Sequence, residues 1–166
     1  MNIIEFSQEY KVRKLIKNDT KIIYDVSIGN PMYYQYCPPY VTEEDIYNDM
    51  IALPPNMTYD DKHYVGFFDG EQLVAVMDLI TNYPKKKSAF IGLFMMNKTY
   101  QNKGIGSKII NDCLFYLSKE GYQHFLLGFA KGNKQSEIFW EKNQFHTTGQ
   151  ESKNDKYTVV LMERHI

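Results

Sequence analysis

One stretch has residue types and spacing that carry chemistry: Gln101-Asn102-Lys103-Gly104-Ile105-Gly106-Ser107. An apolar run precedes it, and behind it Ile105, Ile109, Cys113 and Leu117 recur at helical spacing with Ile110 and Leu114 beside them. A helix start carries N–H groups without partners and a partial positive charge. Glycines let a ligand come close to the backbone. Strand, glycine turn and helix start together make an anion site suited to a diphosphate, with Lys103 and Lys108 adding charge. Three glycine patterns compete. A Walker loop needs G-x-x-x-x-G-K-S/T, but no glycine stands five before Gly106, which Ser107-Lys108 follows. A dinucleotide fingerprint needs a third glycine where Ile109 stands, and an acidic residue that the strand at 124–130 does not end on. The pattern Q/R-x-x-G-x-G/A is matched in full by residues 101–106.

A second block lies downstream: Asn133-x-x-Ser136-x-x-Phe139-Trp140-Glu141-Lys142-Asn143-Gln144-Phe145. With the apolar strand through Phe94, Met95 and Met96, the two blocks resemble the Gcn5-related N-acetyltransferase (GNAT) family, whose second block reads N-x-x-A-x-x-φ-Y-x-K-x-G-F with φ apolar. The element order fits that fold over roughly residues 10–164. The resemblance implies acetyl-CoA in a cleft where two parallel strands part, as a cosubstrate and with no metal. Backbone near Phe94, Met95 and Met96 would hold the acetyl group and pantetheine. The amides of Gln101, Asn102, Lys103, Gly104, Ile105, Gly106 and Ser107 would hold the pyrophosphate. Asn133, Ser136 and Trp140 would flank the pantetheine arm. The bland alternative for the loop is a strand-to-helix turn with glycines for tight packing.

The chain departs from that pattern in three places. Trp140 stands where the family often has a Tyr that protonates the leaving thiolate, and an indole only donates a hydrogen bond. Gln144 replaces the glycine before Phe145. Residues 89–93 carry no glutamate to act as general base. Asp78, inside an otherwise apolar strand, is a substitute carboxylate, although an outward-facing position is the simpler placement. Tyr33, Tyr34 and Tyr36 fall in the loop that lines the acceptor pocket in this fold, and can orient an amine or plug the core. His63, His124, His146 and His165 are scattered and read as structural or exposed.

The elements that must position these residues follow from spacing. A strand at 10–16 precedes a helix opened by Asn18, Asp19 or Thr20 and closed by Gly29-Asn30-Pro31. Residues 33–40 read as a loop stiffened by two prolines, and Thr42 caps a second helix with Asp45 three positions on. Strands at 64–68 and 73–80 flank the turn signal Asp69-Gly70. The apolar run 89–96 implies a strand covered on both faces. Lys85, Lys86 and Lys87 form an exposed turn, with phosphate binding as the alternative. A strand at 124–130, a helix from Asn133 or Ser136, and strands at 145–148 and 157–162 joined by a polar turn complete the chain. Hairpins early and a β-α-β unit later predict an α/β fold: a mixed, mostly antiparallel sheet with one splayed parallel pair and helices on both faces.

Composition bounds the rest. With 166 residues the chain makes a single domain, 1–166, able to fold without disulfides. A net charge of −1 excludes a nucleic-acid binder that works by bulk charge. Cys37 and Cys113 form no metal-binding pair. No leader and no membrane-length apolar run are visible, so the expected location is the cytoplasm, with no membrane partner. Tyr 14 and Phe 10 suit either a polar-lined pocket or an aromatic core. The expected function is acetyl-CoA-dependent N-acetylation of a primary amine on a small molecule or peptide, by direct transfer, since no nucleophile motif is present. The rivals are a non-catalytic acyl-CoA-binding module of the same fold and, more weakly, a nucleotide-binding regulator. An exposed C-terminal edge strand makes a homodimer reasonable.

Overall fold

Asp69-Gly70 turns one long strand back on the next, and the sheet grows outward from that hairpin. The computed structural model describes residues 1–166. Its elements are β1 (Lys11–Lys14), α1 (Thr20–Ile28), α2 (Pro31–Tyr36), α3 (Glu43–Ile51), β2 (Lys62–Asp69), β3 (Gln72–Thr81), β4 (Ser88–Met96), α4 (Ile105–Lys119), β5 (His124–Ala130), α5 (Lys134–Lys142), β6 (His146–Lys153) and β7 (Thr158–His165). One sheet runs in the order β1-β2-β3-β4-β5-β7-β6. Its pairs are antiparallel except β4 with β5, which are parallel as the β-α-β unit requires. This is the expected mixed α/β architecture.

Each face of the sheet has its own apolar core. Alternate residues of β2 and β3 (Val65, Phe67, Met77, Leu79) pack with Ile109, Ile110, Leu114 and Leu117 of α4. The opposite residues (Tyr64, Phe68, Val76) pack with Ile23 and Val26 of α1, Tyr34 of α2 and Ile46 of α3. Burial of this kind contributes roughly 1.5–3 kcal/mol per large side chain. Thr42 caps α3 reciprocally: its hydroxyl accepts from the Asp45 N–H at 3.2 Å, and the Asp45 carboxylate accepts from the Thr42 N–H at 2.8 Å. No helix is long and apolar enough to cross a membrane.

Four local expectations are corrected. Residues 33–40 do not all form a loop, because Pro31, two positions past the Gly29 cap of α1, opens α2. A proline at a first helical position loses no hydrogen bond and has its φ already set. The last strands run longer than 145–148 and 157–162, meeting where Asn154 Oδ1 accepts from the N–H groups of Lys156 and Tyr157. Almost all of β6 is exposed, so no alternation marks it in the sequence. The C-terminal strand is not the edge: β7 lies between β5 and β6, and β6 carries the open edge. Finally, β4 is not covered throughout, since Gly92 is exposed and Leu93 and Phe94 are half-buried.

Candidate active site

The loss of cover on β4 marks where the sheet opens. β4 pairs with β5 only from Ser88 to Ile91, opposite His124 to Leu127. Beyond that point the two strands part, and the β5-facing edge of β4 has no strand partner. On its other edge the register with β3 slips between Asp78 and Leu79, so that Asp78 faces Leu93, Leu79 faces Ile91, and Gly92 is left as a bulge. The split opens into a cavity of about 710 Å3. α5 and the start of α4 form one side of it, and the α1–α2 junction the other.

The loop before α4 supplies the polar end. Gly104 has φ +76, a left-handed conformation that favours glycine, and it caps α4. Its carbonyl accepts from the Lys108 N–H at 3.1 Å. The backbone N–H groups of residues 102–107 donate to nothing within the protein. They form a run of free donors at a helix N-terminus, which is the physical requirement for holding a diphosphate. Gly106 is fixed by space: a Cβ there would lie 3.2 Å from the Phe139 ring and 3.5 Å from Met96.

Among the residues singled out from the sequence, Phe94, Met95, Met96, Gln101, Asn102, Gly104, Gly106, Ser107, Asn133, Ser136, Trp140 and Tyr33 line this one cavity. Lys103 and Ile105 do not. Ile105 packs toward the core, and the Lys103 ammonium donates to the Thr99 carbonyl at 2.9 Å. Lys108 pairs with Glu9 and Asp112 instead of adding charge to the cleft. The cations on the cavity wall are Lys98 and Lys142. Lys87 donates to the Glu120 carbonyl at 2.6 Å, at the opposite end of β4. Tyr34 is buried in the core against Tyr33 and Tyr40, and Tyr36 lies against Gly132; neither lines the cavity.

Asp78 is largely buried, contrary to the simpler outward placement, but it does not line the cavity. Both its oxygens accept from the Lys62 ammonium, at 3.0 and 2.9 Å. Its side chain keeps 15% of its exposure against 4% for Lys62. A Cβ placed on Gly92 would lie 3.1 Å from Asp78 Oδ2, and its three nearest neighbours would all be atoms of Asp78. The carboxylate therefore fills the space a side chain at Gly92 would take, at the point where β4 leaves β5. Burial pushes its pKa above the usual carboxylate value, against the pull of Lys62. On the same side, burial raises the Tyr33 and Tyr64 hydroxyls and the Cys37 thiol.

A sequence model of the acetyltransferase (GNAT) family matches residues 29–145. The chain belongs to the GNAT family. It is an N-acetyltransferase by that membership. No curated protein matches the sequence. Among solved structures, an acetyltransferase from Thermus thermophilus is similar at 17% identity over 100% of both chains, with a TM-score of 0.75. The Salmonella typhimurium acetyl transferase that modifies the N-terminal serine of ribosomal protein L7/L12 is 17% identical over 99% of both chains, with a TM-score of 0.77. PaiA N-acetyltransferase from Thermoplasma acidophilum, solved with coenzyme A, is 18% identical over 94% of this chain and 98% of its own, with a TM-score of 0.67. At these identities the likeness is one of fold.

In this GNAT domain, distant packing supplies residues the motifs do not announce. Asn30 donates to the Met96 carbonyl at 3.0 Å, and Gln101 donates to Asn30 at 2.7 Å and to Met96 at 3.1 Å. The first residue of the glycine motif thus ties the end of β4 to the α1–α2 junction. Asn143, almost fully buried, donates to Ser107 Oγ at 3.2 Å and to the Phe139 carbonyl at 2.7 Å, joining α5 to the start of α4. Phe139 stacks on Phe94 at 5.9 Å, and Trp140 meets Phe94, Phe139 and Phe145 edge-on, so the indole is largely a wall. Gln144 keeps the turn expected of glycine, with φ +65.

Proposed function

We propose that the protein moves the acetyl group of acetyl-CoA to a primary amine of a small molecule or peptide, by direct attack. The observation that carries this reading is the run of unpaired N–H groups at residues 102–107, beside a cleft that opens onto the free edge of a strand. Those donors and the cations Lys98 and Lys142 suit the diphosphate. Phe94, Met95 and Met96 on one side and Asn133, Ser136 and Trp140 on the other suit the pantetheine arm. When bound, acetyl-CoA supplies an activated acyl carbon as its thioester.

Amine nitrogen bonds to that carbon while the carbon–sulfur bond breaks. The open edge of β4 offers main-chain N–H groups to the developing oxyanion. Asp78 takes the proton the amine sheds: it lies outside the cavity lining, but its carboxylate stands beside Gly92 at the strand split and has a raised pKa. Lys62 holds that carboxylate in place from beneath. Trp140 donates a hydrogen bond at most, so the departing thiolate takes its proton from solvent. Holding the two reactants together supplies a further large share of the rate.

The test is free-thiol release from acetyl-CoA against two panels, polyamines and short peptides with free N-termini. Turnover with either panel identifies the acceptor class. Binding of CoA without thiol release from any amine would return the reading to a non-catalytic acyl-CoA-binding module. A second copy docking on the open edge of β6 belongs to the same proposal and is read by the mass of the particle in solution.

A further inference from the structure

At the end of the sheet away from the cleft, the register gathers three of the chain's 4 histidines around one carboxylate. His124 on β5 stands directly across from His165 on β7, and Glu163 on β7 stands directly across from His146 on β6. Residues 163 and 165 are two apart on one strand, so all four side chains share a face. His124 Nε2 lies 2.8 Å from Glu163 Oε2, and His165 Nε2 lies 3.5 Å from the same oxygen. The two imidazoles stack with centroids 4.3 Å apart and planes 9° from parallel. Ser88, fully buried, places its Oγ 3.4 Å from His124 Nδ1, which leaves Nε2 aimed at the carboxylate.

We infer that His124, Glu163 and His165 form a binding site for one divalent transition-metal ion of the zinc class, with water completing its coordination. Two imidazoles and a carboxylate suit zinc, nickel or copper better than calcium or magnesium, which prefer all-oxygen sites. The three donor atoms already lie within 4.8 Å of one another. A tetrahedral ion with bonds of about 2.0–2.1 Å wants its donors about 3.3 Å apart. Closing that difference needs a side-chain rotation, for which His165, with its side chain 65% exposed, has room. Ser88 supplies the outer partner that fixes a ligating imidazole.

The ion would be a staple, apart from acetyl transfer. From His124 to Ala130 the strand advances about 20 Å at roughly 3.3 Å per residue, so the site sits a strand's length from the cleft. It would join β5 to β7, the strand on which the nearly wholly exposed edge strand β6 is hung.

Calorimetric titration of the chelator-treated full chain with zinc chloride tests this. The expected result is one ion per chain, a raised Tm, and at least tenfold weaker binding in each of His165→Ala and Glu163→Gln. Cobalt in place of zinc should give the intense visible absorption of a tetrahedral site, lost in the same variants. His165 is 65% exposed, so its removal leaves folding intact and the comparison clean. No zinc binding, or binding equally tight in both variants, would overturn the inference and leave a proton as the only bridge between Glu163 and His124.

Discussion

Asp78 and Gly92 are complementary across two strands: the glycine leaves space at the strand split, and the carboxylate of the neighbouring strand fills it. If Asp78 takes the amine's proton, Asp78→Asn should lower kcat by about 10²–10⁴-fold while CoA binds as before. In the wild type, kcat/KM should rise with pH as the carboxylate ionises, and the variant should lose that limb. Full activity in the variant would remove Asp78 from the chemistry. Gln144 offers a second residue-scale check. The N–H of Phe145 donates to Trp140, and that of Gln144 donates to Glu141, so Gln144 holds the left-handed position that ends a helix. Relieving that conformation outweighs the added freedom of a glycine, so Gln144→Gly should raise stability by up to about 1 kcal/mol. Denaturant unfolding measures it.

Helix α5 shows what an element contributes to the cleft. The Asn133 side-chain carbonyl accepts from the Ser136 N–H at 3.1 Å and so caps the helix that carries Phe139 and Trp140. Asn133→Ala should cost about 1 kcal/mol in unfolding free energy, and Asn133→Ser should recover most of it. A contact with pantetheine through the amide would instead leave CoA binding weakened in both variants. At this scale the sequence is unevenly legible. Residues 101–107 can be read because a diphosphate site needs contiguous backbone, and contiguity is what a sequence displays. Asn30 cannot, because its role depends on Met96 and Gln101, which only the folded sheet brings to it. Nor can Lys98 and Lys142 be preferred to Lys103 and Lys108, whose ammonium groups the fold turns onto Thr99, Glu9 and Asp112. The side taken by Asp78 follows simple alternation, with Val76 and Tyr64; what the sequence hides is that this face too is covered, by α1, α2 and α3.

The whole molecule carries a buried histidine as a cost of its packing. His63 lies under Phe6 with Nδ1 unpartnered and Nε2 3.4 Å from Thr81, and burial, with Lys14 and the N-terminus, pulls its pKa down to about 4. The unfolded chain takes up a proton near pH 6.5, whereas the folded chain resists until about 4. Between those values the unfolded state binds more protons, so stability rises with pH and is lost on acidification through that window. His63→Phe should flatten the stability curve between pH 6.5 and 4, as followed by Tm across buffers. The mixed sheet and its helices were legible as a whole because two apolar periods, strand and helix, alternate in the order that builds a β-α-β unit. The splayed pair was legible only through the motif at its mouth.

The proposed activity stands on one property assigned to the cleft, that the free N–H groups of residues 102–107 hold the diphosphate of acetyl-CoA. Calorimetric binding of CoA to the wild type and to Gly106→Arg, with ATP and NAD alongside, reads that property without any need for an acceptor. A side chain at Gly106 would press on Phe139 at 3.2 Å and fill the space before those donors. CoA and acetyl-CoA should bind in preference to ATP and NAD, and their affinity should fall at least 100-fold in a variant that still unfolds cooperatively. CoA binding unchanged in a folded Gly106→Arg, or ATP bound as well as CoA by the wild type, would show that the loop does not hold the diphosphate.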